Sequence, residues 1–407
     1  MSAQCSNDGA SSSAGLLAGT RVLDFTRVLA GPYATLVLAD LGAEVIKVEL
    51  PGSGDESRGF GPFVGGASAY FMSVNRGKQS VTVDLRQPAG AELAARLAES
   101  CDILVENFRP GTMAGFGLGY EALHRRAPRL VYASISGFGQ SGPYAQRPAY
   151  DVIIQAMSGI ASITGPPGGP PVRVGSSVAD LGAALYSVVG ILAALARARD
   201  TGQGQHLDVA MLDCQVALLE NALARYGASG QVPEPLGSRH PSITPFQFFE
   251  AADGHIVVAA GNDGLWAQLC GALGCPELTA DARFDSNARR TDNHAELEPL
   301  LARAFARDTV AAWCRRLGEA GVPCGPVQDI GEVAADPQVL SRGMLETVRQ
   351  PGVGDLTMAA MPLRFSGVDR QPARPAPDLG QHTDQVLGQV LGLSGHELDQ
   401  LRRDNVI

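Results

Sequence analysis

From residue 21 to residue 137, short β-branched runs take turns with stretches of helical periodicity, and this alternation restricts the possible folds more than any other feature of the chain. The runs 21–26, 44–49, 80–85, 102–107 and 130–136 read as strands. Strands separated by helical segments do not pair as tight hairpins; they pair in parallel, each crossover carrying a helix onto one face of the sheet. The predicted class is therefore α/β, with a doubly wound parallel sheet. Sheets of this kind receive ligands beyond the carboxyl ends of their strands, which singles out the loops 27–32, 50–58 and 107–111, all rich in Gly and Pro.

The first of these loops, Val28-Leu29-Ala30-Gly31-Pro32, stands where a dinucleotide-binding chain would carry G-x-G-x-x-G. That pattern is absent, so hydride transfer is disfavoured, although a helix N-terminus here can still receive a phosphate or a carbonyl oxygen. A net charge of −10 argues against a nucleic-acid partner, which requires clustered Lys and Arg. The seven Cys are scattered and contain no C-x-x-C pair, so neither a zinc site nor a disulfide framework is indicated; reduced thiols and a cytoplasmic location are expected, with no metal.

At 407 residues two domains are expected. Residues 1–18, rich in Ser, Ala and Gly without a basic or sustained apolar segment, read as a disordered tail, and 19–225 as the first part of a large domain. A Gly, Pro and Ser rich stretch begins near 226, and 226–330 read as a linker and a small α+β domain, with helices at 265–273, 295–306 and 310–320 and a strand in 322–333. The apolar run 181–198 is interrupted by Gly182, Ser187 and Gly190 and closed by Arg197, so a buried core helix is expected rather than a membrane span.

Asp180 stands where a strand-like run gives way to that long helix. Taken alone, an Asp in this place is first of all a cap for unpaired backbone N–H groups. The same dipole end favours an ionised carboxylate, which can attack an activated carbonyl and divide an acyl transfer into two easier steps.

Seven stretches, in order, resemble the family III CoA-transferases, the group that also contains the α-methylacyl-CoA racemases. They are Arg-Val-Leu-Asp-Phe-Thr-Arg-Val-Leu-Ala-Gly-Pro (21–32), Leu-Gly-Ala-Glu-Val-Ile-Lys-Val-Glu (41–49), Asn-Arg-Gly-Lys-Gln-Ser (75–80), Val-Glu-Asn-Phe-Arg-Pro-Gly (105–111), Tyr-Asp-Val-Ile-Ile-Gln-Ala-Met-Ser-Gly (150–159), Gly-Gln-His-Leu-Asp-Val-Ala-Met-Leu-Asp (204–213) and Pro-Cys-Gly-Pro-Val (323–327). The resemblance implies an interlocked homodimer whose large Rossmann-like domain is built from both chain ends, so that 331–407 return to complete it. It implies that Asp180 is the nucleophile, passing through a mixed anhydride and an aspartyl-CoA thioester. It implies coenzyme A contacts from Val28, Ala30, Arg76, Lys78, Asn107, Phe108 and Arg109, with the CoA thioester as substrate and no tightly bound cofactor. Relatives often carry a basic residue after the Lys-Val-Glu of the second strand; here Leu50 holds that place.

The racemases resemble this chain with His in place of Tyr150. A phenol titrating near pH 10 is a poor base at neutral pH, which favours the transferase. Asp151 is expected at a helix N-cap. The loop 237–246 falls where the transferases carry a Gly-rich cover over the reactive aspartate; here it holds Gly237, Arg239 and His240, and the fork of Arg239 suits a distal carboxylate. His240 is expected as a structural hydrogen-bonder. The loop, with Gly-Asn-Asp at 261–263, looks most like the branch that uses succinyl-CoA and small dicarboxylates such as glutarate or itaconate. The competing expectations are α-methylacyl-CoA racemisation and a non-catalytic CoA-binding protein.

Overall fold

A computed structural model describes residues 15–407. Most of the expected tail, 1–14, lies outside the described residues; 15–18 form a turn that buries Leu17, whose N–H donates to the Leu41 carbonyl at 2.9 Å. The chain divides into two compact units. One takes the residues up to Ile160 together with Val174–Leu223 and Leu340–Ile407; the other takes Ala161–Arg173 and Ala224–Val339.

In the first unit β1 (Arg21–Asp24), β2 (Glu44–Glu49), β3 (Gln79–Thr82), β4 (Ile103–Glu106), β5 (Val131–Ser136) and β6 (His206–Ala210) form one six-stranded sheet. Its spatial order is β3-β2-β1-β4-β5-β6, and every neighbouring pair is parallel. This is a doubly wound order, and its topological switch point lies between β1 and β4. Alternation along the strands sorts their side chains: Val22, Ile103 and Val105 enter a core with α1 (Ala30–Asp40), while Leu23 and Leu104 enter another with α3 (Pro88–Glu99). Both faces are buried, which is why these strands read as continuous apolar runs.

The chain's far end completes the second of those cores. In α10 (Thr383–Leu391) Val386 and Leu387 pack with Leu23 and Ile46, and the His382 N–H and Thr383 hydroxyl bond the edge strand β3. A hairpin of β10 (Leu345–Gln350) and β11 (Gly354–Ala359) precedes it.

The long apolar helix α5 (Val178–Thr201) is not the buried rod expected. Ala179, Ala183, Ser187, Ile191 and Leu195 face the core beside α1, whereas Leu185, Tyr186 and Val189 are 52, 44 and 67% exposed. Among the described residues it is the one helix long and apolar enough to cross a bilayer by length and composition.

The second unit carries a three-stranded antiparallel sheet, β7 (Phe246–Glu250), β8 (His255–Ala259) and β9 (Cys324–Pro326), packed with α6 (Asp263–Leu273), α8 (His294–Phe305) and α9 (Val310–Glu319) around Trp266, Phe305 and Trp313. A short α7 (Asn287–Asp292) lies between α6 and α8 in the chain. The expected strand 322–333 stops at Pro326; Asp329 and Glu332 form a capping box that starts a helix at Ile330–Ala335 instead.

Candidate active site

Seven residues singled out in the sequence meet in one cleft. Val28 and Ala30 after β1, Asn107, Phe108 and Arg109 after β4, Tyr150, and Asp180 line a cavity of about 310 Å³ in the first unit, at the switch point of the sheet. The connection from β1 to α1 folds tightly because a side chain is missing: a Cβ on Gly31 would lie 2.3 Å from Thr26.

Asp180 lies in the first turn of α5, whose cap residue Ser177 makes no side-chain cap hydrogen bond. The cap comes from another helix. Asp151 opens α4 (Asp151–Ser158), and its carboxylate accepts the Ala179 N–H at 3.0 Å and a Gln155 side-chain N–H at 2.7 Å. Asp151, expected in a helix N-cap role, caps α5, with Tyr150 in the capping position of α4. Gln155 in turn accepts the Val174 N–H at 2.8 Å, fixing the segment that leads to Asp180.

Burial acts on Asp180 against the helix dipole that favours its ionised form. Burial, with the nearby Asp151 charge, pushes its carboxyl up to about 7. Tyr70, in α2 (Ala69–Asn75), feels the same field: burial and the charges of Asp180, Asp55 and Asp151 push its phenol up to about 12, so it stays a hydrogen-bond donor at neutral pH. The sequence offered no signal for Tyr70, since it belongs to none of the strand-end loops.

Arg76 and Lys78, expected at a phosphate, are committed to the interior. Arg76 is 4% exposed and holds Asp40 through two bonds of 2.5 and 2.7 Å. Lys78 is 3% exposed and gives its three ammonium hydrogens to Asp24, the Pro32 carbonyl and Asn75 at 3.1, 3.0 and 2.8 Å. A buried ammonium with a full set of acceptors has no hydrogen left for a ligand. The cations that do line the cleft are Arg27, Arg109 and Arg147. Arg27 lies over the Phe108 ring at 4.7 Å, pairs with Glu56 at 2.8 Å, and keeps a buried Nε without a hydrogen-bond partner. It opens the first strand-end loop, and its position was the signal for it.

A second recess of about 290 Å³ shares Arg27, Glu56 and Phe108 with the cleft and is otherwise lined by Val48, Leu50, Leu85, Arg86, Phe116 and neighbours. Leu50 therefore presents an apolar surface to this recess.

Gly237, Arg239 and His240 belong to the second unit. Gly237 is left-handed (φ 64°) and donates to Gly165; His240 accepts the Ser242 N–H on Nδ1 at 3.1 Å. Arg239 donates to the Thr291 carbonyl at 3.4 Å, and its Nε is buried without a partner. Asn287 and Arg290 of α7 anchor this loop from below, bonding Ser242 and Thr244.

Comparison with known proteins agrees with this geometry. The family model described as CoA-transferase family III matches residues 17–383. The chain belongs to that family. It is a CoA-transferase, 42% identical over 96% of its length to human succinyl-CoA:glutarate CoA-transferase, of which it covers 90%. It is 44% identical to the acetyl-CoA:oxalate CoA-transferase of Acetobacter aceti, over 89% of this chain and 92% of that one. Among solved structures, a CAIB/BAIF family protein from Brucella suis superimposes with a TM-score of 0.82 at 40% identity, covering 93% of this chain and 100% of that chain. A Mycobacterium tuberculosis protein, 34% identical, gives the same TM-score over 91% of this chain and 99% of that one.

Proposed function

We propose that this transferase moves coenzyme A from succinyl-CoA to a small dicarboxylic acid, with Asp180 as the nucleophile. The observation that carries the reading is the convergence of Asp180 with the loops after β1 and β4 on one cleft. A carboxylate oxygen of Asp180 attacks the thioester carbonyl and expels the CoA thiolate, leaving a mixed anhydride. The thiolate then attacks the Asp180 carbonyl, releasing the donor acid and forming an aspartyl-CoA thioester. The acceptor carboxylate attacks that thioester, and the returning thiolate takes the acceptor acyl group and restores the aspartate. Each step exchanges an anhydride for a thioester of comparable reactivity, which a serine ester would not permit.

The cleft supports the binding half of this scheme. Arg27, Arg109 and Arg147 offer forked donors for phosphate oxygens. Leu50, Phe108 and Phe116 offer an apolar recess for adenine. The acceptor class is drawn from the relatives, named for glutarate and oxalate, both dicarboxylates. Racemisation is not favoured, since no histidine lines the cleft. The exposed Leu185, Tyr186 and Val189 of α5, with Val152 and Ile153 of α4, fit the face of a homodimer.

Incubation with succinyl-CoA followed by hydroxylamine tests the nucleophile. Mass spectrometry is expected to find the hydroxamate on Asp180, and Asp180→Ala is expected to lose exchange between succinyl-CoA and free acid. Exchange retained by that variant would overturn the assignment.

A further inference from the structure

Two non-glycine residues among those described have a left-handed backbone, and one of them, Val28 (φ 68°), stands in the wall of the cleft. A β-branched side chain disfavours this conformation strongly, at a cost of about 1–3 kcal/mol, so the surroundings must impose it. Downstream there is little freedom to relax: α1 begins at Ala30, and the Tyr33 N–H already bonds the Leu29 carbonyl at 2.8 Å.

Upstream, the Arg27–Val28 peptide unit is gripped at both ends. Its N–H end, on Val28, donates to Asp55 at 3.2 Å. Its carbonyl end, on Arg27, accepts the Asn107 side-chain N–H at 2.8 Å, while the Arg27 N–H donates back to the Asn107 side-chain oxygen at 2.8 Å. Both ends of the Asn107 carboxamide are thus engaged by the backbone of the neighbouring loop, imitating one rung of a strand pair. Asp55 is itself held by Lys47 at 2.9 Å and by the Ser57 N–H and hydroxyl at 2.9 and 2.7 Å. On the other side, the Phe108 N–H donates to Glu106 at 2.9 Å, so the loop that carries Asn107 is tied to its own strand.

We infer that Asn107 is a positioning residue for the coenzyme: its carboxamide locks the Arg27–Val28 peptide plane, holds Val28 left-handed, and so fixes the wall against which the CoA thioester lies. This differs from the expected role of Asn107 as a direct contact. It rests on the reading of the cleft as the coenzyme site, and it makes a demand that a direct contact does not. If the clamp works by imposing a left-handed Val28, a residue that adopts that conformation freely replaces part of the clamp.

The test is a double-mutant cycle in the full-length protein, read as the Kd of coenzyme A by isothermal titration calorimetry. Asn107→Ala is expected to raise the Kd by about five- to a hundredfold, the range that corresponds to the release of such a strain. Val28→Gly in the Asn107→Ala background is expected to recover most of that loss, although Val28→Gly in the parent protein weakens binding. Asn107→Asp keeps the acceptor for the Arg27 N–H but loses the donor to its carbonyl; it is expected to behave like the alanine variant, and it serves if the alanine variant does not fold. A double variant that binds no better than Asn107→Ala, or an Asn107→Ala protein that binds as the parent does, overturns the inference. A parent protein whose coenzyme affinity is unmoved by Arg109→Ala would instead remove the coenzyme reading on which it rests.

Discussion

The raised carboxyl of Asp180 makes the proposed nucleophile a burden on the fold, and the burden has a defined pH dependence. Its ordinary value of 3.8 is pushed up to about 7 by burial and Asp151. A shift of about three units corresponds to about 4 kcal/mol between the two protonation states. Asp180 is half-buried, and water reaching it screens part of this, so about 2 kcal/mol is the figure to expect. The sign follows from which state holds the proton. Between about pH 4 and 7 the folded chain keeps it while the unfolded chain has lost it, so stability falls as pH rises, with the full penalty above 7 and almost none below 4. Asp180→Asn, a near-isosteric neutral group, removes the penalty. It is expected to raise Tm by about 2–3 °C at pH 8 and to leave it nearly unchanged at pH 4, while abolishing transfer. Thermal unfolding of both proteins at the two pH values measures this. A gain of equal size at both, or a less stable variant at pH 8, would refute the electrostatic argument.

Three other outcomes follow from the same geometry. Asp151→Asn keeps an acceptor for the Ala179 N–H but removes the charge that raises Asp180, so the acidic limb of the kcat/KM profile is expected to move to lower pH; an unmoved limb refutes the coupling. Lys78→Met leaves Asp24 buried and unpaired and is expected to cost about 3–5 kcal/mol of stability with the Kd for coenzyme A unchanged, whereas Arg109→Ala is expected to raise that Kd about tenfold with Tm intact; denaturation and calorimetry on both variants separate the roles. Val189→Glu, on the exposed stripe of α5, is expected to give monomers in light scattering, and a persistent dimer would remove that stripe from the interface.

The parallel sheet was legible because its cause is local. Each strand is covered on both faces, so each reads as an unbroken apolar run, and crossover helices force the alternation. The loops 27–32 and 107–111 were picked out as strand ends, and Val28, Asn107, Phe108 and Arg109, named through the family resemblance, lie in them and line the cleft. Less legible were the exposure of single helices and the helix that a cap serves. The composition of 181–198 suits a buried rod, yet burial is decided by what packs on each face, and α5 has neighbours on one side while Leu185 and Val189 meet none. Asp151 carries the right side chain for a cap, but which helix it caps depends on how α4 meets α5, and no local pattern records that.

The misplaced cations show the same division at the level of chemistry. A Lys or Arg in a loop is read as solvated and available, and at Arg109, exposed on the cleft, that holds. At Lys78 it fails because Asp24, at the end of β1, is itself fully buried and needs a countercharge within the sheet's end. Lys47 meets Asp55 for the same reason, and Asp55 in turn receives the Val28 N–H. The buried charges Asp24, Lys47, Asp55 and Lys78 are therefore scaffold, fixing the loops that line the cleft. Of the three expected cations, Arg109 lines the cleft while Arg76 and Lys78 hold buried carboxylates, so the location of the cleft is untouched.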